Sequence, residues 1–223
     1  METVLVVAVH PDDETLGCGG AILRHRARHD EVHWLIVTSI SQDLGFTASE
    51  VEARAAVINR VSEAYGFSEV HDLGLSTTKL DTLPKRTLVE IFSGVFNQIR
   101  PQTVYLPYLN DAHSDHRWAF EAAFSCTKSF RHPEVRRVLM METISETEFA
   151  PALPGCGFTP NVFVDISEHM AKKLEILKLY ESEIAPPPFP RSLANVEALA
   201  VYRGSTSGFR AAEAFMLLLE RIS

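Results

Sequence analysis

The sequence predicts an α/β three-layer sandwich with a mostly parallel β-sheet. Short, almost continuous runs of β-branched and other apolar residues recur along the chain, and segments of helical character alternate with them. Apolar runs of this kind are typical of strands buried on both faces of a parallel sheet, because helices cover both faces. The alternation therefore predicts repeated β-α-β units.

The first β-α-β unit lies at the start of the chain. Residues 4–9 and 32–37 are apolar, β-branched runs and are predicted to form strands. Residues 15–29 lie between them, with apolar residues at some positions and arginines at others, and are predicted to form a helix. Two strands joined through a helix are expected to pair in parallel.

Further elements follow in the same alternation. The predicted helices are 48–65, 84–99, 114–129, 167–182 and 211–221, and the predicted strands are 70–73, 103–106, 135–141 and 162–165. Pro84 fits the first turn of a helix, and Pro101 follows a helix end, as expected for a residue without a backbone N–H.

One proline-rich segment interrupts the pattern. Residues 185–190 read Ala-Pro-Pro-Pro-Phe-Pro, which cannot form a helix and is expected to be extended. The remainder of the chain is too short for a second domain, so we expect a rigid surface loop that returns a C-terminal helical segment to the same domain. The sequence thus predicts one domain over residues 1–223.

Composition excludes several classes of protein. The chain has 223 residues, of which 46% are hydrophobic, too many for a disordered segment. No segment approaches the roughly 20 apolar residues of a membrane-spanning helix, and a net charge of −8 disfavours nucleic-acid binding. The three cysteines are widely spaced and form no Cys-x-x-Cys pair, so we expect reduced thiols in a cytoplasmic protein. Assembly as a homo-oligomer is a separate possibility that the composition leaves open.

A polar cluster follows the first predicted strand. Residues 10–14 read His-Pro-Asp-Asp-Glu, and ligands of open α/β sheets bind outside the carboxyl ends of the strands. His10 and one of the two aspartates could bind zinc, and the second carboxylate could act as a general base. Taken alone, the cluster also fits a helix cap, in which Asp12 or Asp13 caps the helix that follows.

A second polar cluster follows the predicted strand at 103–106. Residues 110–117 read Asn-Asp-Ala-His-Ser-Asp-His-Arg, where a helix is predicted to begin. His113 and His116 are three residues apart and share a helix face. Three protein ligands with an open position are the pattern of catalytic zinc, whereas structural zinc has four ligands that usually include cysteine. The two clusters therefore predict a catalytic metal site for Zn²⁺, with Fe²⁺ or Co²⁺ as alternatives.

The two motifs resemble those of the LmbE-like (PIG-L) zinc-dependent N-deacetylases, whose signatures are Ala-His-Pro-Asp-Asp-Glu and His-x-Asp-His. Here residues 9–14 read Val-His-Pro-Asp-Asp-Glu and residues 113–116 read His-Ser-Asp-His. The order of elements also resembles the Rossmann-like fold of that family over essentially the whole chain. The resemblance implies an enzyme that removes acetyl from an N-acetylamino sugar or a conjugate of one.

The resemblance also implies a role for each motif residue. The metal ligands that it implies are His10, Asp13 and His116. Asp12 would be the general base. His113 would stabilise the oxyanion and protonate the leaving amine, and Asp115 would orient and charge His113.

Four further residues are candidates for contact with the substrate. Arg54 matches an arginine that contacts the substrate in family members, with a surface salt bridge as an equal alternative. Asp111 stands where some members carry a tyrosine, which indicates a different substrate orientation or proton path. Arg191 and Arg203 lie in polar segments near the C-terminus and could bind an anionic group such as a nucleotide diphosphate, with a subunit interface as the alternative.

Three other functions compete with a sugar deacetylase. A related zinc amidase would use the same site on a non-sugar amide. A catalytically silent metal- or sugar-binding module is less favoured, because all the motif residues needed for turnover are present. A dinucleotide-binding oxidoreductase is disfavoured because residues 17–20 read Gly-Cys-Gly-Gly and do not complete a Gly-x-Gly-x-x-Gly motif.

Overall fold

The computed structural model describes residues 1–222 and contains one seven-stranded mixed sheet with helices on both faces. In chain order the elements are β1 (Thr3–Ala8), α1 (Asp13–Ala27), β2 (Glu31–Ser39), α2 (Ala48–Tyr65), β3 (Glu69–Ser76), α3 (Lys85–Ile99), β4 (Thr103–Leu106), α4 (Ser114–Ser125), β5 (Arg137–Met141), β6 (Val162–Asp165), α5 (Met170–Leu177), α6 (Leu193–Ser207) and β7 (Ala212–Glu220). The predicted three-layer α/β fold with a mostly parallel sheet is confirmed.

The strand order is β3-β2-β1-β4-β5-β7-β6. The strands β1 to β5 pair in parallel, whereas β7 pairs antiparallel with both β5 and β6. The order reverses direction at β1, from which the chain runs outward on one side through β2 and β3 and on the other through β4 and β5. Such a reversal opens a crevice at the carboxyl ends of β1 and β4.

Both faces of β1 are buried, as its unbroken apolar sequence predicts. Val4 and Val6 belong to the core beneath α1, α2, α5 and α6, whereas Leu5 and Val7 belong to the core beneath α3 and α4. Successive side chains of a strand point to opposite faces, so only a strand covered on both sides is apolar at every position. No helix within residues 1–222 is both long and apolar enough to cross a membrane.

The first helix is interrupted, and a buried ion pair bridges the interruption. Cys18 leaves the helical conformation, with φ −148° and ψ 23°. The carboxylate of Glu213 accepts hydrogen bonds from the backbone N–H groups of Gly20 and Ala21, each at 2.7 Å. Lys173 Nζ donates to Leu16 O at 3.0 Å and to Glu213 Oε1 at 2.7 Å. The pair thus satisfies backbone groups that the interruption leaves without helical partners.

The prediction of a helix at 211–221 is wrong, because this segment contains the strand β7. Ala, Glu, Met and Leu favour helix locally, and the run from Ala212 to Leu219 has little β-branched character. β7 nevertheless pairs on one side with β5 and on the other with β6, and the first half of the strand is buried. Two ladders of backbone hydrogen bonds and burial between two layers outweigh the weak local preference.

The helix α6 is not among the predicted elements, although it carries local helix signals. Ser192 caps its start, and the Ser192 side chain accepts a hydrogen bond from the Asn195 N–H. Gly208 ends it in the left-handed conformation, with φ 82°. The chain therefore does return to the same sheet after the proline-rich segment, but as a helix followed by a strand. The helix predicted at 167–182 is shorter than expected, since α5 covers only Met170–Leu177.

Candidate functional site

The two polar clusters meet at the carboxyl edge of the sheet. β1 and β4 are neighbouring parallel strands, with Val6 paired to Tyr105, so the loops after both strands emerge side by side. A cavity of about 540 Å³ opens at this point and is lined by residues of both loops, among them His10, Asp12, Asp13 and His113. The structure therefore brings the sequence-predicted clusters into one crevice.

The loop after β1 holds an unusual backbone conformation at Asp12. Its φ is 141°, a region that non-glycine residues rarely adopt and that costs of order 1–3 kcal/mol. Asp12 occupies the N-cap position of α1, yet its side chain makes no capping hydrogen bond. Asp13 Oδ2 accepts from the His10 N–H at 2.8 Å instead of capping the helix. The capping alternative is therefore wrong, and the Asp12 carboxylate is directed to the cavity.

Three side chains from the two loops present donor atoms to one point. His116 Nε2 lies 3.3 Å from His10 Nδ1 and 3.3 Å from Asp13 Oδ2, and His10 Nδ1 lies 3.9 Å from Asp13 Oδ2. In tetrahedral zinc with bonds of roughly 2.0–2.1 Å, neighbouring ligand atoms are about 3.3 Å apart. The arrangement therefore fits one transition-metal ion with an open side toward the cavity.

One of these ligand candidates, His116, is oriented by a further carboxylate. His116 Nδ1 lies 2.9 Å from Asp111 Oδ2, and Asp111 also accepts hydrogen bonds from the Tyr108 N–H and the Thr147 hydroxyl. His10 Nε2 lies 3.8 Å from Asp115 Oδ2, which is too far for a hydrogen bond. A carboxylate on the far ring nitrogen fixes the histidine tautomer and leaves the other nitrogen free as a ligand.

The charges of the site also favour a cation. Burial alone would lower the pKa of His116, but the adjacent Asp13 and Asp111 carboxylates outweigh it and hold that pKa well above its usual value. Burial works to raise the pKa of Asp13, yet His116 and His10 keep it well below its usual value. Buried carboxylates around one histidine thus require a positive charge, which a bound metal ion would supply.

A second set of potential ligands overlaps with the first. His10, His113 and Asp115 also approach one another closely enough to hold an ion. Asp115 already accepts hydrogen bonds from the N–H groups of Thr78 and Leu80 at 2.6 and 3.2 Å, one on each oxygen. Both Asp115 oxygens have backbone partners, whereas only Oδ2 of Asp13 accepts a backbone hydrogen bond, so the set with Asp13 and His116 fits a metal better.

The Asp12 carboxylate faces both the ligand cluster and a chain of charged residues. It is only 3% exposed, and burial, with help from Asp13, raises its pKa well above the usual value, although Arg191 opposes this. Arg191 Nη1 lies 3.3 Å from Asp12 Oδ2, and Arg191 Nη2 lies 3.4 Å from Glu183 Oε2. Glu183 also pairs with Arg54, which donates to Pro11 O. Asp12 is thus a carboxylate of increased basicity held beside one arginine.

His113 lies across the cavity from this chain of charges. It is the N-cap of α4, and its Nδ1 accepts a hydrogen bond from the Asp115 N–H at 3.1 Å. A neutral imidazole that accepts through Nδ1 carries its proton on Nε2. Burial and the neighbouring His10 and His116 lower the pKa of His113. The ring can therefore donate a hydrogen bond from Nε2.

The structure changes the interpretation of three residues. Asp111 is fully buried and bonded to His116, so the substrate cannot reach its side chain, and the expected substrate contact is wrong. Arg203, on α6, pairs with both carboxylate oxygens of Glu142 and does not line the cavity that holds the two clusters. Asp115 reaches the β3–α3 connection with its oxygens, and its hydrogen bond to His113 is made by its backbone N–H rather than its carboxylate.

Sequence reasoning missed three acidic residues at the cavity. Glu146 accepts from the His113 N–H at 3.1 Å, and burial raises its pKa. Glu183 joins Arg54 to Arg191, and Asp72 lines the outer wall. None of them belongs to a motif, since they come from the β5–β6 connection, the segment after α5 and β3. Only the folded chain brings them to the crevice.

Comparison with known proteins agrees with this architecture. Diacetylchitobiose deacetylase of Thermococcus kodakarensis is 29% identical over an alignment 228 positions long, which covers 96% of this chain and 82% of the relative. Among solved structures, the conserved protein TT1542 from Thermus thermophilus superposes with a TM-score of 0.80 at 24% identity, covering 100% of this chain and 97% of the other. N,N'-diacetylchitobiose deacetylase from Pyrococcus horikoshii superposes with a TM-score of 0.75 at 20% identity, covering 97% and 83%.

The family assignment rests on the sequence itself. The profile of the PIG-L family, described as GlcNAc-PI de-N-acetylase, matches residues 5–127. This match includes both polar clusters and extends over more than half of the chain. The membership expected from the two motifs is therefore confirmed: the chain belongs to the PIG-L (LmbE-like) family.

Proposed function

We propose that this protein is a zinc-dependent N-deacetylase that hydrolyses the acetamide of an N-acetylamino sugar or a sugar conjugate. One observation carries the proposal: three ligand atoms spaced for one tetrahedral ion lie beside a buried carboxylate of raised pKa, at the mouth of a cavity. The names of the relatives, which include two diacetylchitobiose deacetylases, support the choice of reaction.

In this proposal the metal ligands are His10, Asp13 and His116. Zinc held by them would acidify a water molecule and polarise the acyl carbonyl. Asp12 accepts a proton from the attacking water as the new carbon–oxygen bond forms. The increased basicity of the Asp12 carboxylate suits this role, and Arg191 at 3.3 Å keeps the carboxylate in place.

His113 serves the opposite side of the reacting carbonyl. Its Nε2–H donates a hydrogen bond to the oxyanion, since Nδ1 is fixed as an acceptor by the Asp115 N–H. As the carbon–nitrogen bond breaks, the proton that Asp12 accepted from the water passes to the leaving nitrogen, which yields acetate and the free amine. Asp115 positions His113 through its backbone N–H and faces His10 with its carboxylate.

The cavity wall offers groups suited to a sugar. Its outer part is lined by two hydrogen-bond donors of positive charge, Arg54 and Arg191, and by two acceptors of negative charge, Asp72 and Glu183. Apolar surface in the same cavity comes from Ile40, Phe46, Val51 and Ile58. A ring that carries hydroxyl groups on its edges and C–H groups on its faces matches such a lining. We expect Arg54 and Arg191 to contact the substrate and Arg203 to make no contact with it.

The test is acetate release from a panel of N-acetylated sugars, free and conjugated, and of non-sugar amides. The protein is assayed with quantified zinc, after chelation and after zinc is restored. We expect release from an N-acetylated sugar that chelation abolishes and zinc restores. Release from non-sugar amides alone would establish the amidase instead, and zinc binding without any release would establish a silent binding module.

The Asp12→Asn variant isolates the general base. We expect a loss of about 10²–10⁴-fold in kcat with unchanged zinc content, because Asp12 is not among the three ligands. Glu197→Gln, at an exposed position of α6 away from the cavity, is the matched control and should keep full activity. Wild-type turnover by Asp12→Asn would overturn the assignment of the base.

A further inference from the structure

We propose that His33, Glu69 and His71 form a second site for a divalent transition-metal ion, separate from the active-site cluster. His33 lies on β2, and Glu69 and His71 lie two residues apart on the neighbouring edge strand β3. His33 pairs with Glu69 in the parallel register. Paired residues of neighbouring strands, and residues two apart on one strand, project from the same face of the sheet. The fold therefore places the three side chains together.

The donor atoms are spaced as ligands of one ion. His33 Nδ1 lies 3.2 Å from His71 Nε2, and Glu69 Oε2 lies 3.4 Å from His71 Nε2 and 3.9 Å from His33 Nδ1. About 3.3 Å is expected between neighbouring ligands of tetrahedral zinc. The triangle of distances is almost the same as that of His10, Asp13 and His116.

The site is separate from the cavity, since none of its three residues lines the cavity, although Asp72, the residue after His71 on β3, does. Thr38, five residues beyond His33 on β2, lines the active-site cavity. At a rise of about 3.3 Å per residue, His33 and Thr38 are about 16 Å apart along β2. The cluster therefore lies toward the amino ends of the strands, whereas the active-site motifs follow their carboxyl ends.

A comparable cluster elsewhere differs in the partners of its ring nitrogens. Glu2, His25 and Asp30 also approach one another. There, His25 Nδ1 lies 2.9 Å from Asp30 and His25 Nε2 lies 3.0 Å from the Tyr105 hydroxyl, so both ring nitrogens have protein partners of their own. In the proposed site the facing nitrogens of His33 and His71 have only each other and Glu69 as hydrogen-bond or ion-pair partners among the described residues.

The surroundings allow an ion to enter and to bind. The imidazole side chains are 14% and 10% exposed, and the Glu69 side chain is 52% exposed, so water can complete the coordination. Burial and the adjacent His71 lower the pKa of His33, which favours the neutral imidazole that a metal requires. Two imidazoles and one carboxylate favour zinc and its neighbours over Mg²⁺ or Ca²⁺, which prefer oxygen ligands alone.

The test is the zinc stoichiometry of the intact protein, measured by metal analysis after dialysis against a fixed free zinc concentration. We expect two zinc ions per chain in the wild type and one in His71→Ala, with acetate release unchanged from the wild type. His116→Ala should retain the second ion, and His71→Ala combined with His116→Ala should retain none. The exposed His29, replaced by Asn, is the control and should keep both ions.

Glu69→Gln provides an independent variant, since this half-exposed carboxylate can be replaced without disturbing the core. We expect zinc affinity at the second site to fall at least tenfold in Glu69→Gln, as measured by chelator competition in the His116→Ala background. A stoichiometry that does not change when His71 is replaced, or an affinity that Glu69→Gln leaves unaltered, would overturn the proposal. The two histidines would then form an ordinary hydrogen bond.

Discussion

Replacing Glu213 by Gln should destabilise the protein strongly, although residue 213 lies outside every sequence motif. The Glu213 and Lys173 side chains are only 5% and 3% exposed. Glu213 accepts from Lys173 and from two backbone N–H groups of the interrupted α1. In Glu213→Gln, the amide nitrogen cannot accept, and Lys173 keeps a buried charge without its counter-ion. Removing one partner of such a pair costs about 3–5 kcal/mol.

The loss is measurable by urea unfolding of the chelated protein at pH 7. For a chain of this size each kcal/mol corresponds to roughly 2–4 °C in Tm, so thermal unfolding should shift by about 6–20 °C. Lys173→Met combined with Glu213→Gln should be more stable than Glu213→Gln alone, because no charge is left unpaired. Glu168→Gln is the control, since its ion pair with Arg210 is 83% and 80% exposed and contributes little. The reasoning is refuted if Glu213→Gln is as stable as Glu168→Gln.

Three further predictions concern the site and its supports. Asp111→Asn should weaken zinc binding about 10–100-fold in chelator competition, because the carboxylate that orients His116 is lost; unaltered affinity would contradict this. Arg203→Gln should leave KM unchanged and lower the free energy of unfolding by about 1–2 kcal/mol, because the residue pairs with Glu142 and not with the cavity; a large increase in KM would restore Arg203 as a substrate contact. Burial raises the pKa of Glu14 from 4.5 to about 7. Between these two pH values the Glu14 carboxyl keeps its proton in the folded protein but releases it in the unfolded chain. The free energy of unfolding of the wild type should therefore fall as the pH rises from 4.5 to 7. Glu14→Gln should lack that part of the fall, roughly 3 kcal/mol for the chelated protein, and parallel urea-unfolding curves for both proteins across this range would speak against it.

Much of the fold follows from local patterns. The strands at 103–106 and 162–165 and the helix at 48–65 have the bounds that the sequence predicts. These elements have clear local signals, such as the capping box at Thr47 and the left-handed Gly66 that ends α2. The C-terminal strand β7 is predicted as a helix because its Ala, Leu and Met residues favour helix locally, and only pairing with two other strands overrides that preference.

The candidate site likewise has one part that the sequence predicts and another that only the fold decides. Both motifs could be recognised because they follow strands whose carboxyl ends meet in any parallel sheet of this order. The positions of Asp111 and Arg203 could not be deduced, since a charged side chain gives no local indication of the partner it will have. Asp111 is turned inward to His116, and Arg203 is turned to Glu142.

The sequence by itself determined the α/β class, the family and the two clusters of histidines and aspartates, because strand periodicity and short motifs are local properties of the chain. Tertiary structure decided which atoms face one another. It joined Glu183 to both arginines of the cavity, placed Glu213 and Lys173 across the interruption of α1, and brought His33 next to His71. Most of these contacts join residues far apart in sequence, and their energies depend on burial and on distance, which exist only once the chain has folded.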